Sequence, residues 1–445
     1  IDPVAPLYHP LWYQDNLYAI ANPGGSVATI SYAYRYTVGS GWGSYAKIAT
    51  YGPVVAWTTS SGTSSVSLWG PNLFGIGSMG WQSQQSIASL AGTQELLDVP
   101  FNITGIVYGR GLYRDNGDAY AAVANNASVF IHRRNATYYR LNRAGLGGLI
   151  TTSDDFLGTM GLFVGVSDGL YGNLMDAVLI LQPYLDGLGL SSKLNCRGLS
   201  FWRQTVFIPL ENGGVIAYKP GQAVSLGPDT DDGLPDELSG PFTASIQSPL
   251  NLFMGKSADN PNRKACILGY DGVSWQLIWK DLVAAQWITE MAYSYLSGVD
   301  RLHYFLGPTQ SYLGATLAYH LPYVGRNPIT TPSLSVASQG YLTDSQFFGY
   351  TPETENTFLR LWIQGEGISS FNTITALYGI NGATANATLG IINSVPTYLK
   401  FGDLGTKGNY IQLKYLLTRG TVVGTYPQFK FSSLEYVKVP DNREI

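Results

Sequence analysis

Residues 250–279, LNLFMGKSADNPNRKACILGYDGVSWQLIW, constrain the fold more than any other stretch of this chain. Three short apolar runs are separated by a polar, proline-containing loop and by Asp271-Gly272. Asp-Gly between two strand-like runs predicts a two-residue hairpin turn, because both central residues of a type I′ turn need positive φ. The last run alternates, and it predicts one shared face for Val273, Trp275, Leu277 and Trp279. Such a unit cannot bury its faces alone, so it predicts stacked copies of itself.

Looser copies of this unit occur along residues 1–330. Each has three or four short apolar runs joined by Gly-rich or Asn-rich turns. The other six units span residues 11–49, 53–93, 98–143, 146–190, 197–246 and 285–326. A period of this length is typical of β-propeller blades with four strands each. The sequence therefore predicts an all-β chain that begins with a β-propeller of about seven blades. Helical periodicity is scarce, and residues 281–291, with Ala284 and Ala285, are the best candidate for a short helix.

A second domain is predicted over residues 338–445. It follows a Ser/Thr-rich segment with two prolines at 327–338, which is typical of a linker. Beyond it the strands are longer and alternate more strictly, as in a two-sheet, jelly-roll-like β-sandwich. The predicted strands are residues 341–349, 357–365, 373–380, 388–392, 398–401, 410–417 and 428–437. The second of them is predicted to have an apolar inner face built from Phe358, Leu359, Leu361, Trp362 and Ile363.

Composition excludes some partners. Only 13% of the 445 residues are charged and the net charge is −4, whereas about 25% is usual. No long basic run is present, which argues against nucleic acid as a principal partner. No apolar run reaches the length needed to insert into a membrane, and no signal-peptide pattern is recognisable. Low charge with abundant Gly and Tyr favours large, static interfaces, as in a symmetric homo-oligomer or a multi-copy assembly.

The layout resembles that of bacteriophage tail and virion-surface proteins. The similarity is carried by LFVGVSDG and GYDGVSW in the repeats and by GYLTDSQFFGYTPETENTFLRLWIQ, which opens the last domain. The resemblance implies a structural or host-contacting part of the virion, bound to other virion proteins or to a host-surface glycan. It implies no catalytic residues.

One acidic loop is the most local chemical signal. PDTDDGLPDE, residues 228–237, places five carboxylates around Gly233. Ca²⁺ takes six to eight oxygen ligands, and alternating Asp residues beside a Gly turn supply such ligands. The spacing lacks one residue of the usual acidic calcium loop, and a solvated loop between two strands explains the same residues. The calcium hypothesis names Asp229, Asp231, Asp232 and Asp236 as the ligands.

The cysteines and histidines give weaker signals. Cys196 and Cys266 are interpreted as two buried thiols, with a disulfide as the alternative. The histidines are His9, His132, His303 and His320. None has the spacing of a zinc site, although His303 and His320 flank one predicted hairpin and could meet across it.

Aromatic residues allow two interpretations. Sugar-stacking platforms and packing between sheets both use them, and packing is favoured for residues in strands. The residues concerned are Tyr34, Tyr36, Trp42 and Tyr45, together with Tyr138 and Tyr139.

The favoured function is a non-enzymatic virion component that acts by binding. The alternative is a glycan-binding or glycan-cleaving protein of the sialidase-like kind, which also uses a propeller. A sialidase-like site needs clustered arginines, a tyrosine nucleophile and an acid. The available arginines, which form no recognisable motif, are Arg110, Arg114, Arg197, Arg203 and Arg301. Two carboxylates and an arginine converging in one pocket would favour the alternative.

Overall fold

The structure is a computed structural model of the 445-residue chain. Contacts between Cα atoms divide it into two compact units, unit 1 (Ile1–Pro332) and unit 2 (Ser333–Ile445). The residues that it describes are 7–13, 16–21, 31–38, 40–49, 56–59, 65–70, 81–86, 94–95, 108–113, 119–124, 127–133, 138–143, 145–151, 161–174, 182–186, 192–228, 234–284, 286–296, 299–307, 317–321, 338–349, 353–394, 397–420 and 426–439.

The described part of unit 1 is all-β and propeller-like, with seven small antiparallel sheets that follow one another in chain order. The strands of the first four sheets are β1 (Leu7–Tyr13), β2 (Asn16–Ala21), β3 (Ser31–Thr37) and β4 (Gly41–Ala49); β5 (Ala56–Thr59), β6 (Ser65–Gly70), β7 (Trp81–Ser86) and β8 (Gln94–Glu95); β9 (Tyr108–Tyr113), β10 (Ala119–Ala124), β11 (Val129–Arg133) and β12 (Tyr138–Leu141); β13 (Gly148–Thr151), β14 (Gly161–Val166), β15 (Gly169–Leu174) and β16 (Gln182–Asp186).

The remaining three sheets of unit 1 follow the same order, and the last has three described strands. Their strands are β17 (Ser200–Trp202), β18 (Thr205–Pro209), β19 (Val215–Lys219) and β20 (Gln222–Ser225); β21 (Phe242–Gln247), β22 (Leu252–Lys256), β23 (Lys264–Tyr270) and β24 (Trp275–Ala284); β25 (Trp287–Leu296), β26 (Val299–Gly307) and β27 (Leu317–Leu321). A single 3₁₀ turn, η1 (Asp236–Leu238), is the only helical element of the described residues.

Neighbouring sheets contact one another through their first strands. β5 contacts β1 and β9, β13 contacts β9 and β17, and β21 contacts β17 and β25. β25 also contacts β1, so the first and last sheets of unit 1 are neighbours. The contacts are apolar: one cluster joins Phe253 and Ile267 of the sixth sheet to Leu302 of the seventh. The sixth and seventh sheets thus bury apolar faces against each other, as stacked copies of one unit would.

The prediction of a short helix at residues 281–291 is wrong. These residues belong instead to the end of β24 and the start of β25, where Trp287 pairs with Gly307. Aromatic and β-branched side chains such as Trp287, Ile288 and Thr289 favour strands. Burial of these side chains outweighs the helix propensity of the two alanines.

The Asp271-Gly272 turn also differs from the prediction. Of the two residues only Gly272 has positive φ (105°), and the loop holds four residues because Tyr270 pairs with Trp275. A register shift opposite Ile267 and Leu268 then breaks the alternation of β24. The shift turns Trp279 to the face opposite that of Trp275 and Leu277. Trp275 packs on the cluster that contains Tyr270, and Trp279 packs on the cluster that contains Ile267. The predicted common face therefore does not form.

Unit 2 consists of two antiparallel sheets. In the first, the order is β28 (Gln339–Thr343), β34 (Ile411–Thr418), β30 (Thr373–Ile380), β31 (Ala387–Ile392). In the second, β29 (Asn356–Glu366) pairs with β32 (Thr397–Lys400), β33 (Thr406–Gly408) and β35 (Gln428–Lys438). The strands predicted at 357–365, 373–380, 388–392, 398–401, 410–417 and 428–437 each overlap one of these. The strand predicted at 341–349 ends earlier, at Thr343, and a single bridge from Phe347 to Ile411 follows it.

One hydrophobic cluster joins the two sheets of unit 2. It includes Phe358, Leu361 and Ile363 of β29 and Ile374 of β30. The prediction of an apolar inner face is therefore correct for these β29 residues. It is wrong for Trp362, which is only half-buried and lies opposite Tyr398 and Ser433, because strict alternation turns it away from the core.

Both cysteines are free and buried, so the interpretation as two thiols is confirmed. Burial raises the pKa of each thiol to about 12. Cys196 packs between the fourth and fifth sheets and Cys266 within the cluster of the fifth and sixth. Within the described residues, no helix has the length and apolar character to cross a membrane.

Candidate functional site

The turn between β17 and β18 has an unusual backbone conformation. Trp202 pairs with Thr205, which leaves Arg203 and Gln204 as a two-residue loop. Both have positive φ, 48° and 59°. Type I′ turns of this kind normally use Asn and Gly, because a β-carbon is unfavourable at positive φ. An Arg-Gln pair in this position stores backbone strain, which is typical of functional sites.

Arg203 links this turn to two others. Its Nη1 donates to the Asp271 carbonyl (3.1 Å), and its Nη2 donates to the Leu250 carbonyl (3.3 Å). The guanidinium lies 4.2 Å from the centroid of the Trp202 ring, within the range of a cation–π contact. Trp202 Nε1 in turn donates to the Ser248 carbonyl (3.1 Å). We call this set of contacts the Arg203 clamp; it joins the β17–β18, β21–β22 and β23–β24 turns.

Asp271 organises its own turn rather than facing a ligand. One carboxylate oxygen accepts the amides of Val273 and Ser274, each at 2.8 Å. These backbone hydrogen bonds hold the pKa of Asp271 below its usual value. The turn leaves the Val273 side chain 91% exposed at its tip.

Two clefts lie on either side of the Arg203 clamp. One, of about 340 Å³, is lined by aromatic and polar residues that include Trp202, Phe207, Tyr270 and Lys219. The other, of about 440 Å³, is lined by Arg203, Leu250, Asn251, Asp271, Val273 and Gln276. Of their residues, Asp271 is the only carboxylate, and its turn already engages it. The arrangement can hold a partner side chain against aromatic and amide groups.

The predicted calcium loop lies mostly outside the described residues. Asp229, Asp231 and Asp232 are not described, and Asp236 is exposed at the start of η1. The adjacent Glu237 pairs with Lys280 (3.0 Å) and Lys264 (3.4 Å), and the hydrogen bond from Lys280 is the largest cause of its lowered pKa. The part of the chain that the structure describes contains no group of three or more potential metal ligands. Calcium binding by this loop stays a prediction.

A buried lysine of β22 binds the first residue of that loop, Pro228. Lys256 is fully buried, and its Nζ donates to the carbonyls of Gly213 (2.8 Å) and Pro228 (3.3 Å). The ammonium also lies 4.4 Å from the centroid of the Phe242 ring. Burial of Lys256 was not predicted, because a lysine at the end of an apolar run normally extends its ammonium group into solvent.

The arginines of the sialidase-like alternative are distributed over different sheets. Arg203 holds the clamp, Arg197 donates to the Lys193 carbonyl (3.1 Å), and Arg301 is buried in β26. Arg110 lies in β9, its side chain outside the described set, as is the whole of Arg114.

Two predicted clusters meet at the contact between the first and last sheets. Tyr34, Tyr36 and Trp42 are buried there, so the packing interpretation is confirmed for them. The side chains of Tyr45, Tyr138 and Tyr139 lie outside the described residues. The backbone register pairs His303 with His320. The buried His303 ring contacts Tyr36 (4.7 Å between centroids), and its Nε2 is 2.8 Å from Ser294 Oγ.

The remaining two histidines, His9 and His132, lie in β1 and β11, with side chains outside the described set.

No family model and no curated protein matches this chain. Solved structures that are similar to it include YCF48 bound to a D1 peptide, at 10% identity and a TM-score of 0.46 over 74% of this chain and 96% of that chain. Sqt1 of Saccharomyces cerevisiae is similar at 12% identity and a TM-score of 0.44, over 69% and 82% of the two chains. The computationally designed protein Ika8 is similar at 13% identity and a TM-score of 0.43, over 71% and 83%. At this level of similarity they assign neither a family nor a function.

Proposed function

We propose that this protein acts by binding, as a non-enzymatic structural component of a bacteriophage virion. In this proposal residues 1–330 form a propeller of seven blades and residues 338–445 form a jelly-roll-like sandwich. The contacts between consecutive first strands, together with the β25–β1 contact, support a closed ring. The shared core of the two sheets of unit 2 supports the sandwich. The virion assignment is supported by the resemblance of the repeat motifs and by the low charge of the chain.

The Arg203 clamp is the observation that carries the binding role. The Arg203 guanidinium and the Trp202 indole fix the three turns relative to one another, and the Asp271 carboxylate fixes the shape of its own turn. A surface held in this way loses little conformational entropy when a partner docks. Polar groups that are used for turn geometry are poorly placed for acid–base chemistry.

We place the docking surface on strand β24, which begins at the β23–β24 turn of the clamp and ends at Ala284. It is the last strand of its sheet, and its exposed apolar residues include Leu277, Leu282 and Val283. Leu282 is 89% exposed. A long edge strand with exposed apolar side chains is a site for pairing with another chain. We propose that a neighbouring virion protein covers this edge.

Mass spectrometry of purified particles of the virus whose genome encodes the chain tests the proposal. We expect the protein at a fixed copy number per particle. Leu282→Lys is expected to lower incorporation several-fold, because a charge would be buried at the contact. Leu404→Lys, at a position in unit 2 that is 90% exposed, is the matched control and should incorporate normally. Absence of the protein from washed particles would refute the virion assignment.

A further inference from the structure

Three aromatic side chains gather on the outward face of the second sheet of unit 2. Trp362 of central strand β29 lies opposite Tyr398 of β32, and its neighbour on the same face, Gln364, lies opposite Phe431 of β35. Tyr398 is 63% exposed and Phe431 is 42% exposed. The outward face of a sheet is normally polar. Aromatic residues exposed together in this way indicate a binding surface.

The rings of this aromatic face have a defined arrangement. The planes of Trp362 and Tyr398 differ by only 30°, with centroids 6.4 Å apart. Phe431 stands nearly perpendicular to Trp362, at 73° and 4.9 Å. We call the Trp362 and Tyr398 rings the platform, because a flat ligand could stack on them. The Phe431 ring, nearly perpendicular to Trp362, is the wall at its side. A flat ligand that stacks on the platform would have its position limited by the wall.

Polar side chains surround the three rings on the same face. Arg360 precedes Trp362 by two residues on β29 and therefore lies on the same face. Its Nε is 3.6 Å from Glu435 Oε2, and its backbone lies opposite Lys400. Gln364 is exposed on the other side of Trp362, and the exposed Ser433 lies directly opposite the Trp362 backbone. The amide, hydroxyl and ion-pair groups can donate and accept hydrogen bonds next to the apolar rings.

The charges around the rings disfavour a protein or nucleic-acid ligand. Besides Arg360 and Glu435, Lys430 and Glu366 form an ion pair at 3.0 Å. The cores of protein interfaces are depleted in charged residues, and burying these pairs would cost desolvation energy. Positive and negative charges nearly balance, so the face has no excess of positive charge to attract phosphates.

We propose that this aromatic face binds an oligosaccharide that carries little or no charge. The C–H faces of sugar rings would lie on Trp362 and Tyr398, whose π-faces carry partial negative charge. Hydroxyl groups at the ring edges would bond to Gln364, Ser433 and the Arg360–Glu435 pair. This inference adds a ligand class and a site to the proposed binding role, and it does not require the virion assignment.

Glycan-array screening of the full chain, followed by calorimetry with cello-, malto-, laminari- and chitohexaose, tests the proposal. We expect binding to at least one array glycan or hexasaccharide, with a Kd below about 1 mM. Tyr398→Ala is expected to weaken that binding by about ten-fold, because it removes one of the two rings on which the sugar would lie, and a loss of about 1.4 kcal/mol is ten-fold in Kd. Trp362→Ala should have at least as large an effect.

The matched control is Phe371→Ala, which removes a ring that is 68% exposed elsewhere in unit 2. It should bind as tightly as the wild type. Thermal melts of every variant separate loss of binding from loss of folding, and Tyr398→Ala is the decisive variant because its ring lies largely in solvent. The proposal would be overturned if Tyr398→Ala bound as tightly as the wild type, or if neither the glycan array nor calorimetry detected binding to the wild type. Particle incorporation of Tyr398→Ala is measured separately, so failure here leaves the virion proposal unaffected.

Discussion

Two aromatic clusters in this chain have similar ring geometry and opposite surroundings. In unit 1, Trp42 lies 5.6 Å from Tyr36 and 6.0 Å from Phe305, and all three are buried between the first and last sheets. In unit 2, the Trp362 ring lies 4.9 and 6.4 Å from its two aromatic neighbours, which are exposed. The contrast shows that contact between rings does not decide their role. What decides it is whether another sheet covers the face.

The largest loss of stability is expected in unit 1, where the aromatic cluster is buried. Phe305→Ala should lower the free energy of unfolding of unit 1 by about 3–5 kcal/mol, the usual cost of removing a fully buried phenylalanine. Urea unfolding followed by near-UV circular dichroism measures it. Phe371→Ala, at an exposed position, should change stability by less than about 0.5 kcal/mol. Equal losses in the two variants would show that the first cluster is not a packed core.

Neighbouring residues on β29 give a sharper version of the comparison. Leu361 is fully buried and Trp362 faces outward. Leu361→Ala should cost unit 2 about 2–5 kcal/mol, whereas the larger truncation Trp362→Ala should cost less than about 1.5 kcal/mol. Chemical denaturation of both variants under identical conditions tests the order. A greater loss for Trp362→Ala would place this ring in the core and contradict the proposed binding face.

Mutation of the Arg203 clamp is expected to cause an intermediate loss of stability, because the clamp joins a buried ring to an exposed cation. Arg203→Ala should destabilise unit 1 by about 1–2 kcal/mol through loss of the cation–π contact and two hydrogen bonds. Arg203→Gly loses the same contacts but relieves the positive φ. It should therefore be more stable than Arg203→Ala by roughly 1 kcal/mol. Identical stabilities would show that the turn is not strained.

The smallest change in stability is expected at the Asp271 turn, and it depends on pH. The pKa of Asp271 is depressed in the folded state, so its carboxylate stabilises the fold fully above the ordinary pKa of aspartate. That contribution is lost as the pH falls through the lower, folded-state pKa. The difference in Tm between wild type and Asp271→Asn should therefore shrink between pH 7 and pH 3. A constant difference across that range would mean that the charge has no role in the turn.

Prediction from sequence was most accurate where a strand is long and one of its sides is buried. The strand predicted at 373–380 coincides with β30, and that at 428–437 lacks one residue of β35. In the unit at residues 250–279, the prediction found β22 and β23 but missed the first strand of that sheet. That strand is β21 (Phe242–Gln247), and residues 242–246 of it were assigned to the preceding repeat. Short strands connected by similar turns do not reveal where one sheet ends and the next begins.

The candidate site was less predictable. The turn between Trp202 and Thr205 was not predicted, because Arg-Gln is not a recognised turn signal. The clamp needs Leu250 and Asp271, which lie 47 and 68 residues away from Arg203. Only the stacking of the fifth and sixth sheets brings these carbonyl groups to one guanidinium.

The amino-acid sequence by itself determined the all-β character, the succession of small sheets and the longer strands of unit 2, because alternation and turn residues act over a few neighbouring positions. It did not predict the short strand β33. Tertiary structure alone decided which side of each strand is covered. In residues 250–279 a register shift turned Trp279 to the face opposite that of Trp275. On β29 the pairing of the two sheets placed Leu361 in the core and left Trp362 on the outward face. Burial depends on what lies across from a strand, and that partner is distant in sequence.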